Sequence, residues 1–307
     1  IPYAIPPVGD LRWKAPRALI SPESNIQPQD GNGCLQEASI YAGIQGEGIV
    51  GQEDCLYIDI KAPVNNLNQR LPVMFWIHGG GNTSGVKDYY DFSELIREHQ
   101  VMVVTINYRL GPMGWFTHPA IQGLQNGIDK ASNFGTLDIM EALKWVQTNI
   151  QNFGGDPENI TIFGESAGGN NVLSLLASPM GNGLFHKAIS QSGYTTSFTK
   201  EEALGLNQKG AVVNQLGSDP VLSSFDSSGY GRIKNLFNQN PQKYAEEYQR
   251  YLRSIDGKAL LEIYEKLSKD TYDRLPLLTR DGIVTHIDGV SVGLASSKEK
   301  NNISVIA

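Results

Sequence analysis

The sequence contains no apolar run approaching the roughly 18 residues that a membrane span needs, and no internal repeat, low-complexity tract or linker divides it. It is short of positive charge. Its 25 lysines and arginines against 32 acidic residues leave a formal charge of -7, which argues against nucleic acid as a partner. Histidine is scarce, and the five present, His78, His99, His118, His186 and His286, show no His-x-x-x-His spacing, which argues against a metal site. Cysteine is scarcer still, with Cys34 and Cys55 alone. What is plentiful is apolar residues: 40% of 307 positions, ample for a core.

Those apolar residues fall into an alternating order. Continuous runs at 71–77, 101–106 and 160–163 read as buried strands, and 188–191 as a short one. Between them, 137–150 carries Ile139, Leu143, Val146 and Ile150 three or four residues apart, the period of a helix with one face on a sheet. The alternation predicts an α/β fold, a mostly parallel sheet with helices on both faces. From about 197 to 278 the pattern changes to charged, helix-favouring segments such as 244–253 and 259–269.

Gly164-Glu165-Ser166-Ala167-Gly168-Gly169 sits between the strand run and a helical run beginning at Val172. A strand that turns into a helix within one residue strains the backbone there and crowds its neighbours, so small residues are needed two before and two after. Gly164 and Gly168 meet that need and make Ser166 a candidate nucleophile. The bare pattern is weak in a chain with 33 glycines, and it recurs as Gly289-Val290-Ser291-Val292-Gly293. That copy has no buried strand before it, and the chain runs quickly into Ser296-Ser297-Lys298-Glu299-Lys300, so Ser291 reads as an ordinary loop or helix-end serine. Only the first copy has a partner element, since the strand at 71–77 ends in His78-Gly79-Gly80-Gly81. Successive glycines let bare backbone N–H groups converge on a reacting carbonyl that becomes an oxyanion.

At this point the chain resembles the type-B carboxylesterases, a family that includes the cholinesterases and the neuroligin-like adhesion proteins. The resemblance rests on Ile5-Pro6-Pro7-Val8-Gly9-Asp10-Leu11-Arg12-Trp13, Glu53-Asp54-Cys55-Leu56-Tyr57-Ile58, the glycine run, Asn107-Tyr108-Arg109, Asn152-Phe153-Gly154-Gly155-Asp156-Pro157, Gly164 to Gly169, and Gln191-Ser192-Gly193, in family order. It implies an α/β-hydrolase fold with a helical cap-like insertion at about 197–278, and a serine esterase of broad specificity for short- to medium-chain esters that needs no cofactor. Ser166 would be the nucleophile, and Gly80, Gly81 and Ala167 would supply the oxyanion-hole N–H groups. In relatives the triad acid lies just beyond a strand resembling 302–307, and the histidine about a hundred residues further on, as the triad order suggests. Both are therefore expected outside residues 1–307. The abrupt start, with Ile1-Pro2-Tyr3-Ala4 already inside a motif, points the same way, to a sequence incomplete at both ends.

The resemblance assigns further residues. His78 would orient the glycine loop. Glu165 is either a surface carboxylate favoured at a helix start or, as in relatives, a gorge residue that tunes the histidine. Ser192 matches a serine that hydrogen-bonds the triad acid, while Arg12 with Glu53 and Arg109 with Asp138 match structural ion pairs. His99, His118 and His186 fall at element ends, where solvated or capping histidines are usual, and His286 is disfavoured as base by triad order. Cys34 and Cys55 are either two buried thiols or the bridge that the family often carries there, which would favour a secreted or periplasmic protein. Between them, Gly46-Glu47-Gly48-Ile49-Val50-Gly51 imitates a dinucleotide fingerprint but lacks its strand and helix, and reads as a flexible loop. The stretch has no tryptophan, which cholinesterases use to hold a quaternary ammonium, so choline esters are not expected as specialised substrates. Asn82 stands where relatives usually place Phe or Trp, which predicts a more polar acyl wall. The alternatives are a catalytically inactive neuroligin-like binding module, and an inactive fragment lacking the triad acid and histidine. Adhesion members typically lose the serine that this chain keeps.

Overall fold

The structure, a computed structural model, describes residues 1–19, 33–64, 70–226, 228–268, 275–296 and 303–307. Among the expectations above, Lys269, the stretch Ser297 to Lys300 and Asn302 lie outside these residues.

The apolar runs form the centre of a six-stranded sheet. Its strands are β3 (Ile58–Lys61), β4 (Leu71–Ile77), β5 (Met102–Ile106), β6 (Gly155–Glu165), β7 (Lys187–Gln191) and β8 (Ser304–Ile306), in the spatial order β3-β5-β4-β6-β7-β8. All neighbours are parallel except β3 with β5. Every residue of β5 is buried, and in β4 all but Pro72 and Met74 are, as expected of strands covered on both faces. The register brings Ile77 opposite Gly164 and Glu165 opposite Gln191, so β4, β6 and β7 end at one level. In open α/β sheets the carboxyl ends of such strands are where sites are built.

Two helices close the core around this sheet. One is α4 (Phe134–Asn149), entered three residues before the predicted start and buried along Leu137, Ile139, Met140, Leu143 and Val146. The other is α5 (Ala167–Ala177), apolar nearly all round and accordingly buried nearly all round. Shorter helices α1 (Ser93–His99), α2 (Gly111–Gly114) and α3 (Pro119–Gln122) lie in the connections. The charged region holds α6 (Lys200–Leu204), α7 (Ser218–Phe225), α8 (Gly229–Gln239), α9 (Pro241–Ser254) and α10 (Gly257–Leu267), and α11 (Val290–Ser296) follows. The helices α6, α9 and α10 start on side-chain caps from Thr199, Asn240 and Asp256. In α9 burial falls on Ala245, Tyr248 and Leu252, a single stripe, while Lys243, Glu246, Glu247, Arg250 and Arg253 lie outside it.

Cys34 and Cys55 are joined in a disulfide, both under 4% exposed. The segment between them corrects one expectation. Residues 46–51 are not a flexible loop: Ile44–Val50 is strand β2, antiparallel to β1 (Gln36–Ser39). The ladder pairs Ile44, Ile49 and Val50 with β1, and its register shifts across the segment holding Gly46 and Gly48, both at positive φ, as glycine within a strand often marks a bulge.

Candidate active site

Ser166 is the one-residue junction between β6 and α5. Its backbone has φ 55° and ψ -118°, outside the helical and strand regions that L-residues prefer. The strain is held from both sides, by the Ser166 N–H donating to the Gln191 carbonyl at 2.9 Å and the Asn170 N–H donating to the Ser166 carbonyl at 2.9 Å. The glycines around it are fixed by space. A Cβ on Gly168 would stand 2.1 Å from the Ile77 carbonyl oxygen, and one on Gly164 2.6 Å from that same atom. Strand end and helix start pass too close for any side chain between them.

The glycine loop follows the end of β4. Gly80, Gly81 and Asn82 all have positive φ, at 87°, 64° and 60°. The Gly80 carbonyl accepts from the N–H groups of Thr83 and Ser84 at 3.0 Å each, which closes a tight turn. Gly80, Gly81, Asn82, Ser166 and Asn170 line one cleft of about 620 Å³, with Tyr194, Thr196, Phe198, Leu277 and Leu278 on its other sides. Among the described residues, positive φ outside glycine occurs at five positions, and Asn82 and Ser166 are two of them. Strain of this kind persists where the surroundings over-determine it, which is usual at functional sites.

His78 lies behind the loop, buried, its ring stacked on Tyr108 at 4.4 Å. Its Nδ1 donates to the Gly79 carbonyl at 2.9 Å. Burial, opposed by that bond, pushes its pKa down to about 4, so the ring is neutral at physiological pH and acts on the loop by shape and hydrogen bonding. Glu165 sits beside Gly79, where an added Cβ would meet the Glu165 carbonyl oxygen at 2.7 Å and its carboxylate at 3.3 Å. Burial, with the Glu165 charge second, pushes the Tyr90 hydroxyl up. Ala167 is fully buried at the first position of α5. Ser192, at φ 51°, is exposed just past the end of β7.

The remaining histidines stand elsewhere, and none is among the residues lining the cleft. His286 is partly exposed, with Nδ1 accepting from the Asp288 N–H at 3.1 Å. His99 ends α1, and His186 Nδ1 accepts from the Ile160 N–H at 3.1 Å. His118 caps α3 through Ala120 but is not solvated: it is buried, with Nε2 3.2 Å from both the Tyr230 and the Tyr248 hydroxyl. Burial pushes its pKa down to about 3. The Arg109 guanidinium holds Asp138 through two bonds of 2.7 and 2.8 Å inside the core, and Arg12, also buried, pairs with Glu53. Burial raises the Asp138 pKa against the pull of Arg109, so such a pair fixes geometry more than it adds stability. Ser291 is the second residue of α11, its hydroxyl donating to Thr195 Oγ1 at 2.8 Å.

Several lining residues carry no local signal: Tyr194, Thr196, Phe198, Leu277 and Leu278 reach the cleft from loops. Asn170 and Asn171 could have been noticed, since two amides in succession are unusual in an otherwise apolar helix.

A strained serine between a parallel strand and a helix, facing a glycine turn across one cleft, is the arrangement of the nucleophile elbow in α/β-hydrolases. The chain belongs to the carboxylesterase family, whose family model matches residues 1–280. It is 37% identical over 300 residues to the para-nitrobenzyl esterase of Bacillus subtilis (strain 168), covering 92% of this chain and 58% of that protein. It is 43% identical over 199 residues to the fumonisin B1 esterase of Sphingopyxis macrogoltabida, covering 62% and 35%. A solved para-nitrobenzyl esterase structure superposes with a TM-score of 0.77 at 32% identity, over 99% of this chain and 57% of that one. The fold is therefore the α/β-hydrolase fold. The chain spans about 58% of the length of the Bacillus relative.

Proposed function

We propose that this protein hydrolyses carboxylic esters through an acyl-enzyme on Ser166. The observation that carries the reading is the strained Ser166 turn opening on the same cleft as Gly80 and Gly81. A histidine removes the Ser166 proton as its oxygen attacks the ester carbonyl. The N–H groups of Gly80, Gly81 and Ala167 stabilise the tetrahedral oxyanion, and the alcohol leaves with the proton that the histidine returns. Water repeats the sequence on the acyl-enzyme. The acid and the histidine of the triad come from chain beyond Ala307, a reading supported by the absence of all five histidines from the cleft lining and by the share of the relatives that these residues span.

Substrates are a broad range of esters with short to medium chains, which suits a cleft lined by Phe198, Leu277 and Leu278. Those residues belong to, or border, the region holding α6 to α10, which serves as a cap over the cleft mouth. The buried Cys34–Cys55 bridge supports an exported location. Among the described residues no helix is long and apolar enough to cross a membrane.

The test is hydrolysis of p-nitrophenyl acetate by the chain extended to the length of its relatives, beside residues 1–307 alone. The extended protein is expected to turn over readily, and the shorter one at a rate lower by about 10³-fold or more, as when a triad member is removed. Equal Ser166-dependent rates would place a base within these residues and refute the assignment of the triad histidine.

A further inference from the structure

The proposed oxyanion hole has two halves on different elements, the glycine loop after β4 and the start of α5. Their separation has to be held to a fraction of an ångström for N–H groups from both to reach one oxygen. The loop has three consecutive residues at positive φ and so has no regular ladder to hold it. Its position is set by individual bonds. The Gly80 carbonyl is used within the loop's own turn, and the Asn82 carbonyl accepts from the Gly111 N–H at 2.8 Å. Asn82 Oδ1 accepts from Asn171 Nδ2 at 2.8 Å, and that bond reaches the helix carrying Ser166.

Both amides are removed from water, Asn82 at 2% exposure and Asn171 at 0%. The Tyr108 hydroxyl joins them, 3.3 Å from Asn82 Oδ1 while donating to the His78 carbonyl at 2.7 Å. Strand end, glycine loop and nucleophile helix thus meet at one buried polar knot. Primary amides are costly to bury, and an apolar side chain at either position would avoid that cost. Asparagine also adopts left-handed φ more readily than most residues, but that explains only the backbone at position 82 and not the bond to Asn171.

We propose that the Asn82–Asn171 amide pair is a positioning device that holds the glycine loop at a fixed distance from the nucleophile helix, and so sets the geometry of the oxyanion hole. The proposal rests on Ser166 being the esterase nucleophile. It revises the part of Asn82: the side chain faces the helix as a tie, and does not only make the acyl wall polar.

Asn82→Gly separates the two properties of the residue, because glycine keeps the left-handed backbone and removes the amide. Asn171→Ala removes the partner from the other side. Both variants and their combination are assayed with p-nitrophenyl acetate in the chain extended to the length of its relatives. Rates are expressed per Ser166 titrated with a fluorophosphonate, so that unfolded protein is not counted. Each single variant is expected to lower kcat by about 10- to 100-fold with KM changed by less than about twofold, since the contact acts on the transition state. The double variant is expected to fall no further than the worse single one. Asn82→Gly with an unchanged kcat, effects that multiply in the double variant, or a change confined to KM would each overturn the proposal. A Ser166→Ala protein that still hydrolysed the ester would instead overturn the esterase reading itself, and the two failures are told apart by that control.

Discussion

Residues 164–168 and 289–293 spell the same pattern, Gly-x-Ser-x-Gly, and fold into different things. The first joins an eleven-residue strand to an eleven-residue helix, with its serine at φ 55°. The second enters the seven-residue helix α11, and its serine hydrogen-bonds Thr195 at an exposed position. The glycines differ in kind as well. Gly168 is required because the backbone of β4 passes where its Cβ would be, whereas a Cβ on Gly293 would meet Ala177 Cβ at 3.0 Å, the Ala177 carbonyl oxygen at 3.1 Å and His286 Cβ at 3.3 Å, a milder crowding. Five residues therefore specify little until the flanking elements decide what crosses above them.

The comparison is sharpest at the serines. Ser166→Ala is expected to abolish ester hydrolysis in the extended protein, by about 10³-fold or more, while Ser291→Ala leaves kcat/KM within about twofold. Comparable losses from both variants, measured with p-nitrophenyl acetate, would break it.

The next largest contrast is at the second glycines. Gly168→Ala forces the helix start away from Ile77 and is expected to cost about 3 kcal/mol or more, because backbone cannot move aside as a side chain can. In Gly293→Ala the crowding against Ala177 is offset by the roughly 0.5–1 kcal/mol that alanine gains over glycine within a helix. The net change is expected within about 1 kcal/mol. Urea unfolding of both variants measures the difference, and equal losses would show that the two sites are constrained alike.

A pH-dependent effect concerns the support behind the first copy. His78 is held neutral by burial, with its pKa lowered from 6.5 to about 4. Between those values the unfolded chain binds a proton that the folded protein does not. The stability due to this group is therefore complete above pH 6.5 and declines as pH falls towards 4, by up to about 3 kcal/mol. His118, lowered to about 3, acts in the same direction over a wider range. Urea unfolding at pH 7 and pH 4.5 is expected to show the decline, and His78→Gln, which cannot protonate, to make it shallower. An unchanged slope in that variant would mean that His78 takes up its proton without leaving the fold.

How much could be read before folding depends on the range of the interaction. The strands at 71–77 and 102–106 and the helix at 134–149 announce themselves, since burial on both faces imposes an apolar run on a strand and burial on one face a period on a helix. The turn at Ser166 shows along the chain as small residues two before and two after the serine, although the backbone that crowds Gly168 belongs to Ile77 and His78 at the end of another strand. The strand at Ile44–Val50 is hidden for the complementary reason. Glycine-rich composition suggests a loop, but the ladder from β1 and the Cys34–Cys55 bridge make it a strand.

The alternating α/β pattern, the choice of Ser166 over Ser291 and the glycine run that faces it are carried by contiguous residues and can be read along the chain. It takes the folded chain to enclose His118 between Tyr230 and Tyr248, 112 and 130 residues away, and to turn Asn82 to Asn171 across 89. Side chains that far apart impose no spacing on one another along the chain. Their bonds exist because the fold brings buried polar groups together, where each must find a partner once water is gone.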